Sequence, residues 1–167
     1  MFNISKSCWA IFLASILVIL FSCEKLVSVQ PPISQITNAN VLTSDESANA
    51  VILGMYAKII NGTSFDFLPT LLPALTADEL KSYSTNTAYI SYATNNISSA
   101  DTYIENIWSF SYNVIYQANA FLENIEQAQA VSSGAKAQYS GEALFMRAFM
   151  YFNLVNLFGR VPLINFF

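Results

Sequence analysis

The sequence contains no histidine, which removes the commonest general base and the commonest zinc ligand together. Cysteine is nearly as scarce, with only Cys8 and Cys23. Charge is thin at 11% of residues, and the seven Lys and Arg are scattered against eleven Asp and Glu. A nucleic-acid partner needs a clustered basic face to neutralise phosphates, so that partner is excluded. There is no glycine-rich phosphate loop and no tight turn built around a nucleophile. No cofactor and no metal site is therefore expected. What the composition does supply is apolar and aromatic: 54% hydrophobic residues, with 13 Phe and 9 Tyr. Such a chain buries a core and folds, and its length allows one domain at most.

The first 23 residues have a distinct pattern. Lys6 is the only charge, an uncharged run follows over residues 9–21, and Ser22 and Cys23 close it. This is the pattern of a secretory signal peptide, residues 1–22, whose cleavage site ends in a cysteine. A cysteine there marks a bacterial lipoprotein: its thiol is acylated and it becomes the new N-terminus. The competing reading is a plain transmembrane anchor. At 1.5 Å per residue the run reaches roughly 20 Å, short of the ~30 Å hydrocarbon core. The expectation is an exported chain held to lipid through Cys23. Stable anchoring then needs more than one acyl chain, since one binds membranes only marginally. With Cys8 discarded and Cys23 acylated, no disulfide forms in the mature chain. Residues 23–41 are mostly polar and carry Pro31-Pro32, so they read as an extended tether.

From residue 42 the pattern becomes helical. Thr43 and Glu46 have capping-box spacing, and Ala48, Val51, Ile52, Met55 and Ile59 recur on one face until Asn61-Gly62 stops the helix. Between residues 63 and 99, Pro69 and Pro73 break up an apolar stretch, and a charge-free Ser/Thr/Asn segment carries Tyr83, Tyr89 and Tyr92. It is long for a connection, which by base rates makes it functional or disordered, and its tyrosines favour an ordered, packed loop in which a short strand would fit. Asp101 opens a long helix with a seam of Ile104, Trp108, Ser111, Ile115, Ala118, Leu122 and Ile125, and Phe110, Val114 and Phe121 form a second apolar face. After a tight turn capped by Ser133, a third helix is expected from Ala135 to Phe158, with Leu144, Phe145, Ala148, Tyr151, Phe152 and Val155 inward. Gly159 and Pro162 end it. Two long helices joined by a short turn make an αα-hairpin, the unit of helical solenoids, although no second copy of the pattern is present.

The third helix also carries a recognisable signature. Residues Glu142-Ala143-Leu144-Phe145-Met146-Arg147-Ala148, Tyr151-Phe152, Leu154-Val155 and Phe158-Gly159-Arg160-Val161-Pro162-Leu163 resemble the "EA-x-FLRA-x-x-YF-x-LV…FG-x-VPL" pattern of the SusD/RagB family. Trp108, Tyr112, Ile115, Ala118 and Asn119 are similar to its "W…Y…I…AN" helix, and Ala48, Leu53, Gly54 and Tyr56 to its first helix. Arg160 stands where that family often has Asp or Gly, on a surface turn. The resemblance implies a mostly α fold of tetratricopeptide-like helix pairs, an α-α superhelix with long irregular loops. It also implies a surface-exposed outer-membrane lipoprotein that binds oligosaccharides or other nutrients and delivers them to a SusC-like TonB-dependent β-barrel. Members of that family run to several hundred residues, so residues 42–167 are expected to be the N-terminal part of a larger helical domain or a truncated reading frame.

Candidate contacts follow from the same segment. Asp78, Tyr83, Asn86, Tyr89 and Tyr92 offer what a sugar needs, flat aromatic faces for its apolar side and acceptors for its hydroxyls. The blander reading is that these residues only order the loop. Trp108 could be a stacking platform, but its place on the helical seam favours core packing. Glu142 and Arg147 read as scaffold. Asp78 and Glu79 could be an acid and base for glycoside cleavage, which needs carboxyl groups on opposite sides of a bond, yet adjacent carboxylates in a polar loop read as a solvated turn. The expectation is a binding protein, not an enzyme, with a purely structural module that docks on the transporter as the alternative.

Overall fold

The computed structural model describes residues 41–62 and 65–165. The expected signal peptide, the expected lipidation site Cys23 and nearly all of the expected tether lie outside them. Among the described residues the order is α1 (Asp45–Asn61), α2 (Leu68–Thr76), α3 (Thr87–Ala93), α4 (Thr102–Gln127) and α5 (Ser133–Phe158), with no strand. The mostly helical fold class holds. The charge-free segment in which a strand would fit forms the short helix α3 instead, and the proline-containing stretch before it forms α2.

Local chemistry sets the helix ends. The capping box of α1 sits one residue later than Thr43 and Glu46: Ser44 Oγ accepts from Ser47 N at 3.2 Å, and Ser47 Oγ accepts from Ser44 N at 3.0 Å. A serine at the third helical position closes the box as well as a glutamate. Gly62 then ends the helix, and a Cβ there would lie 2.6 Å from the Phe110 ring. Pro69 falls in the first turn of α2, where its missing N–H costs nothing, and Pro73 gives up one bond of the ladder further in. Asp101 caps α4, accepting from Tyr103 N at 2.9 Å and Ile104 N at 3.1 Å. Ser132, not Ser133, caps α5, so that helix begins two residues before the expected Ala135. Asp45 accounts for the difference. Its carboxylate accepts from Ser132 N at 2.7 Å and from Ser132 Oγ at 2.6 Å, tying the start of α1 to the α4–α5 turn.

Helices α4 and α5 form the antiparallel hairpin, and its two ends are covered differently. At one end α1 packs through Ala48, Ile52 and Met55 onto Ala118, Phe121, Ile125, Ala143 and Met146. At the other, α2 and α3 pack through Leu68, Leu72, Leu75 and Tyr92 onto Ile107, Val114, Ile115, Met150 and Leu154. The second apolar face expected on α4 is therefore real, with Val114 and Phe121 buried, and Ile107 joins it.

The inward face of α5 is the reverse of the expected one. Ala143, Met146, Met150 and Leu154 are buried, while Leu144, Phe145, Ala148, Phe152 and Val155 are exposed and Tyr151 is half-buried. The helix is apolar around most of its circumference, so periodicity marks no unique core stripe.

Candidate functional site

Turn chemistry orders the tyrosine-bearing segment. Asp78 ends α2 in the left-handed region at φ 58°, exposed, and Glu79 N and Leu80 N behind it bond back to Ala74 O. Asn95 repeats the device after α3 at φ 53°, with Asn96 N bonded to Ser91 O. Asp and Asn are among the few non-glycine residues that tolerate this conformation. Asn95 Nδ2 also donates to Thr76 O at 3.2 Å, joining the ends of the two short helices. Asn86 is the N-cap of α3, accepting from Ala88 N at 3.0 Å. Tyr89 stacks on Tyr103 at 6.0 Å between ring centres. Tyr92 is buried and its hydroxyl donates to Asp101 at 2.7 Å; burial, then that hydrogen bond, push its pKa well above the usual phenol range. Tyr83 is 85% exposed, with the Lys81 ammonium 5.3 Å from its ring centre. Four of the five expected residues thus order the segment, and Tyr83 is the one whose face is open to water.

An open pocket of about 450 Å³ lies beside this segment, at the start of α4. None of the five residues lines it. Asp101, Ile104, Glu105 and Trp108 recur at three- and four-residue spacing and so share one face of the helix, while Ser99 and Ala100 form a rim and Phe158, the last residue of α5, closes the far side. Trp108 meets Phe158 edge to face at 5.1 Å and 89°, and Tyr112 at 5.0 Å and 47°. The expected burial of Trp108 in the α4 seam is only half met: it is partly exposed and forms a wall of the pocket. Asp101 is committed to the helix cap and to Tyr92, whereas Glu105 is exposed. The arrangement places a flat aromatic corner beside a carboxylate acceptor, which suits a ring with one apolar face and a hydroxylated edge. Two acidic residues on the same helical face as Trp108 were the available signal that this seam is not wholly core. No group of three or more metal-binding side chains occurs among the described residues.

The hairpin's polar side chains do something else. Tyr112 Oη donates to Pro162 O at 2.7 Å. Tyr151 Oη accepts from Ile164 N at 2.7 Å and donates to Ile164 O at 3.1 Å. Asn119, 2% exposed, donates through Nδ2 to Ile164 O at 2.9 Å while its Oδ1 accepts from Arg147 Nη1 at 2.7 Å. Four residues of two helices thereby hold one extended segment after Gly159, which turns the chain at φ 75°. All four are among the residues that carry the family resemblance, and here they form a clamp on backbone.

The family model described as "Starch-binding associating with outer membrane" matches residues 26–166. The chain belongs to this SusD-like family. It is similar to SusD-like protein P25 of Formosa agariphila, 26% identical over 85% of this chain and 28% of the relative. It is also similar to a SusD-like protein of Bacteroides ovatus, 27% identical over 86% of this chain and 26% of the relative. The chain therefore spans about a quarter of the length of the curated relatives it matches. No solved structure matches it. The family is described by its association with the outer membrane, and no described helix of this chain is long and apolar enough to cross a bilayer.

Proposed function

We infer that this chain is part of a cell-surface lipoprotein, anchored through acylated Cys23, that captures glycans and passes them to a SusC-like TonB-dependent β-barrel without chemical turnover. The observation that carries this reading is the match of residues 26–166 to a family described by starch binding at the outer membrane. The pocket gives it a physical form. Trp108 and Phe158 offer the apolar corner on which one sugar ring rests, and Glu105 accepts hydrogen bonds from its hydroxyls. Tyr83 supplies a second, exposed aromatic face, presented by a segment that Asp78, Asn86, Tyr89 and Tyr92 hold in place. The pocket's chemistry favours binding over cleavage. Asp101 is tied to a helix cap, which leaves Glu105 without a second carboxylate free to act across a glycosidic bond.

Calorimetric titration of the full chain in detergent with maltoheptaose and cellohexaose tests the reading. Saturable binding of at least one is expected, weakened about tenfold by Glu105→Gln, the loss of one charge-assisted hydrogen bond. Absence of binding to both, with helical circular dichroism intact, contradicts it.

A further inference from the structure

The pocket and the clamp share their members. Phe158, which closes the far side of the pocket, is followed at once by Gly159, the positive-φ turn that starts the clamped segment. Trp108, the other aromatic wall, lies one helical turn before Tyr112, with 5.0 Å between ring centres. Tyr112 meets Tyr151 edge to face at 6.4 Å and 90°. Val161, half-buried in the strap that follows the turn, packs against the same core as all four of these side chains.

Residues 161–165 belong to no helix or strand, and side chains supply the bonds that hold them. Tyr112 Oη donates to Pro162 O at 2.7 Å, Tyr151 Oη accepts from Ile164 N at 2.7 Å, and Asn119 Nδ2 donates to Ile164 O at 2.9 Å. Pro162, Leu163 and Ile164 are exposed, so this strap opens at a lower free energy than the helices that carry it. Opening removes the anchor of the Tyr112 hydroxyl and the seat of Val161, and it loosens the turn that holds Phe158. Both aromatic walls of the pocket then lose a neighbour that fixes them. A half-exposed aromatic wall binds a ring well only while it is held in place, because ordering it on contact costs affinity.

We propose that Tyr112 is the positioning residue of the Trp108 corner, and that the corner holds a sugar only while the strap sits in its clamp. The proposal rests on glycan capture at this pocket and adds its control. Tyr112 does not line the pocket; its ring steadies Trp108 and its hydroxyl ties that ring to Pro162. Coupling of two equilibria is reciprocal, so a bound sugar keeps the strap clamped, and whatever lifts Ile164 from the clamp releases the sugar.

Amide exchange at Ile164, followed by NMR of the full chain in detergent, reads the strap directly. The ligand is maltoheptaose or cellohexaose, whichever binds in calorimetry, at about a hundred times its Kd. A ligand that binds only the clamped form slows exchange at Ile164 about a hundredfold, while exchange at Ser132, at the other end of the hairpin, is expected to stay unchanged. Tyr112→Phe keeps the ring and removes only the bond to Pro162 O. It is expected to weaken capture about threefold and to speed Ile164 exchange in the free chain. Ser44→Ala, which loses a cap at the far end of the hairpin, is expected to bind as the parent does. Unchanged Ile164 exchange on saturation, or equal slowing at Ser132, overturns the coupling and leaves glycan capture standing. Parent affinity in Tyr112→Phe, or equal weakening in Ser44→Ala, overturns the role of Tyr112. Binding of neither oligosaccharide overturns both the capture reading and the coupling that rests on it.

Discussion

The two faces of α5 are built from the same kinds of residue and have opposite fates. Ala143, Met146, Met150 and Leu154 are at most 1% exposed, while Phe145 and Phe152, larger and no less apolar, are more than 60% exposed. Burial is a property of a pair of surfaces, and α4 covers only one side of α5. Apolarity states that a side chain favours an interior; it does not say which neighbour provides one.

Mutation can sharpen that contrast, and the largest effect is expected there. Leu154→Ala removes packing from a fully buried site and is expected to destabilise the chain by about 2–5 kcal/mol in urea unfolding. Phe152→Ala, a larger truncation, is expected to stay within about 0.5 kcal/mol. Comparable losses from both would mean that the outward face is already covered. Next comes the clamp, where Asn119→Ala leaves the Arg147 guanidinium without its acceptor and takes one bond from Ile164 O. A loss of about 1–3 kcal/mol is expected, together with faster amide exchange at Ile164.

The α1 end gives smaller effects. Ser44→Ala removes the helix cap, for about 1 kcal/mol in the same denaturant series. The smallest effect belongs to Asp45, whose hydrogen bonds from Ser132 hold its carboxyl below its ordinary value of 3.8. A depressed carboxylate contributes stability that is present above the ordinary value and lost as pH falls through the lowered one. Stability measured from neutral pH down past 3.8 should therefore fall slightly less steeply in Asp45→Asn than in the parent. An identical slope would remove Asp45 from the account.

Helix ends were the most legible part of the fold. Asp101, Gly62 and Gly159 each act through chemistry confined to a few neighbouring residues, and each sits where its sequence context indicates. The caps at Ser44 and Ser132 were displaced by one residue because two adjacent hydroxyls competed and a distant group, Asp45, decided one of the cases. The short helices α2 and α3 were hidden by two prolines, Pro69 in the first turn of α2 and Pro73 inside it, and by a cap, Asn86, inside a run of similar polar residues. Phe158 reaches the pocket from 50 residues beyond Trp108, and no local pattern announces that meeting. The clamp shows the limit from the other side. The signature residues Tyr112, Asn119, Arg147 and Tyr151 were visible as a pattern, but their hold on Pro162 and Ile164 appears only once the helices are paired.

Glycan capture at the Trp108 corner can be read with one native probe. The sequence has two tryptophans, Trp9 and Trp108, so in Trp9→Phe the emission reports on the pocket alone. The account predicts that an oligosaccharide bound by calorimetry also shifts the Trp108 emission and protects it from acrylamide quenching, saturating at the same concentration. Binding heat with unchanged Trp108 emission and quenching would contradict the pocket as the site of capture.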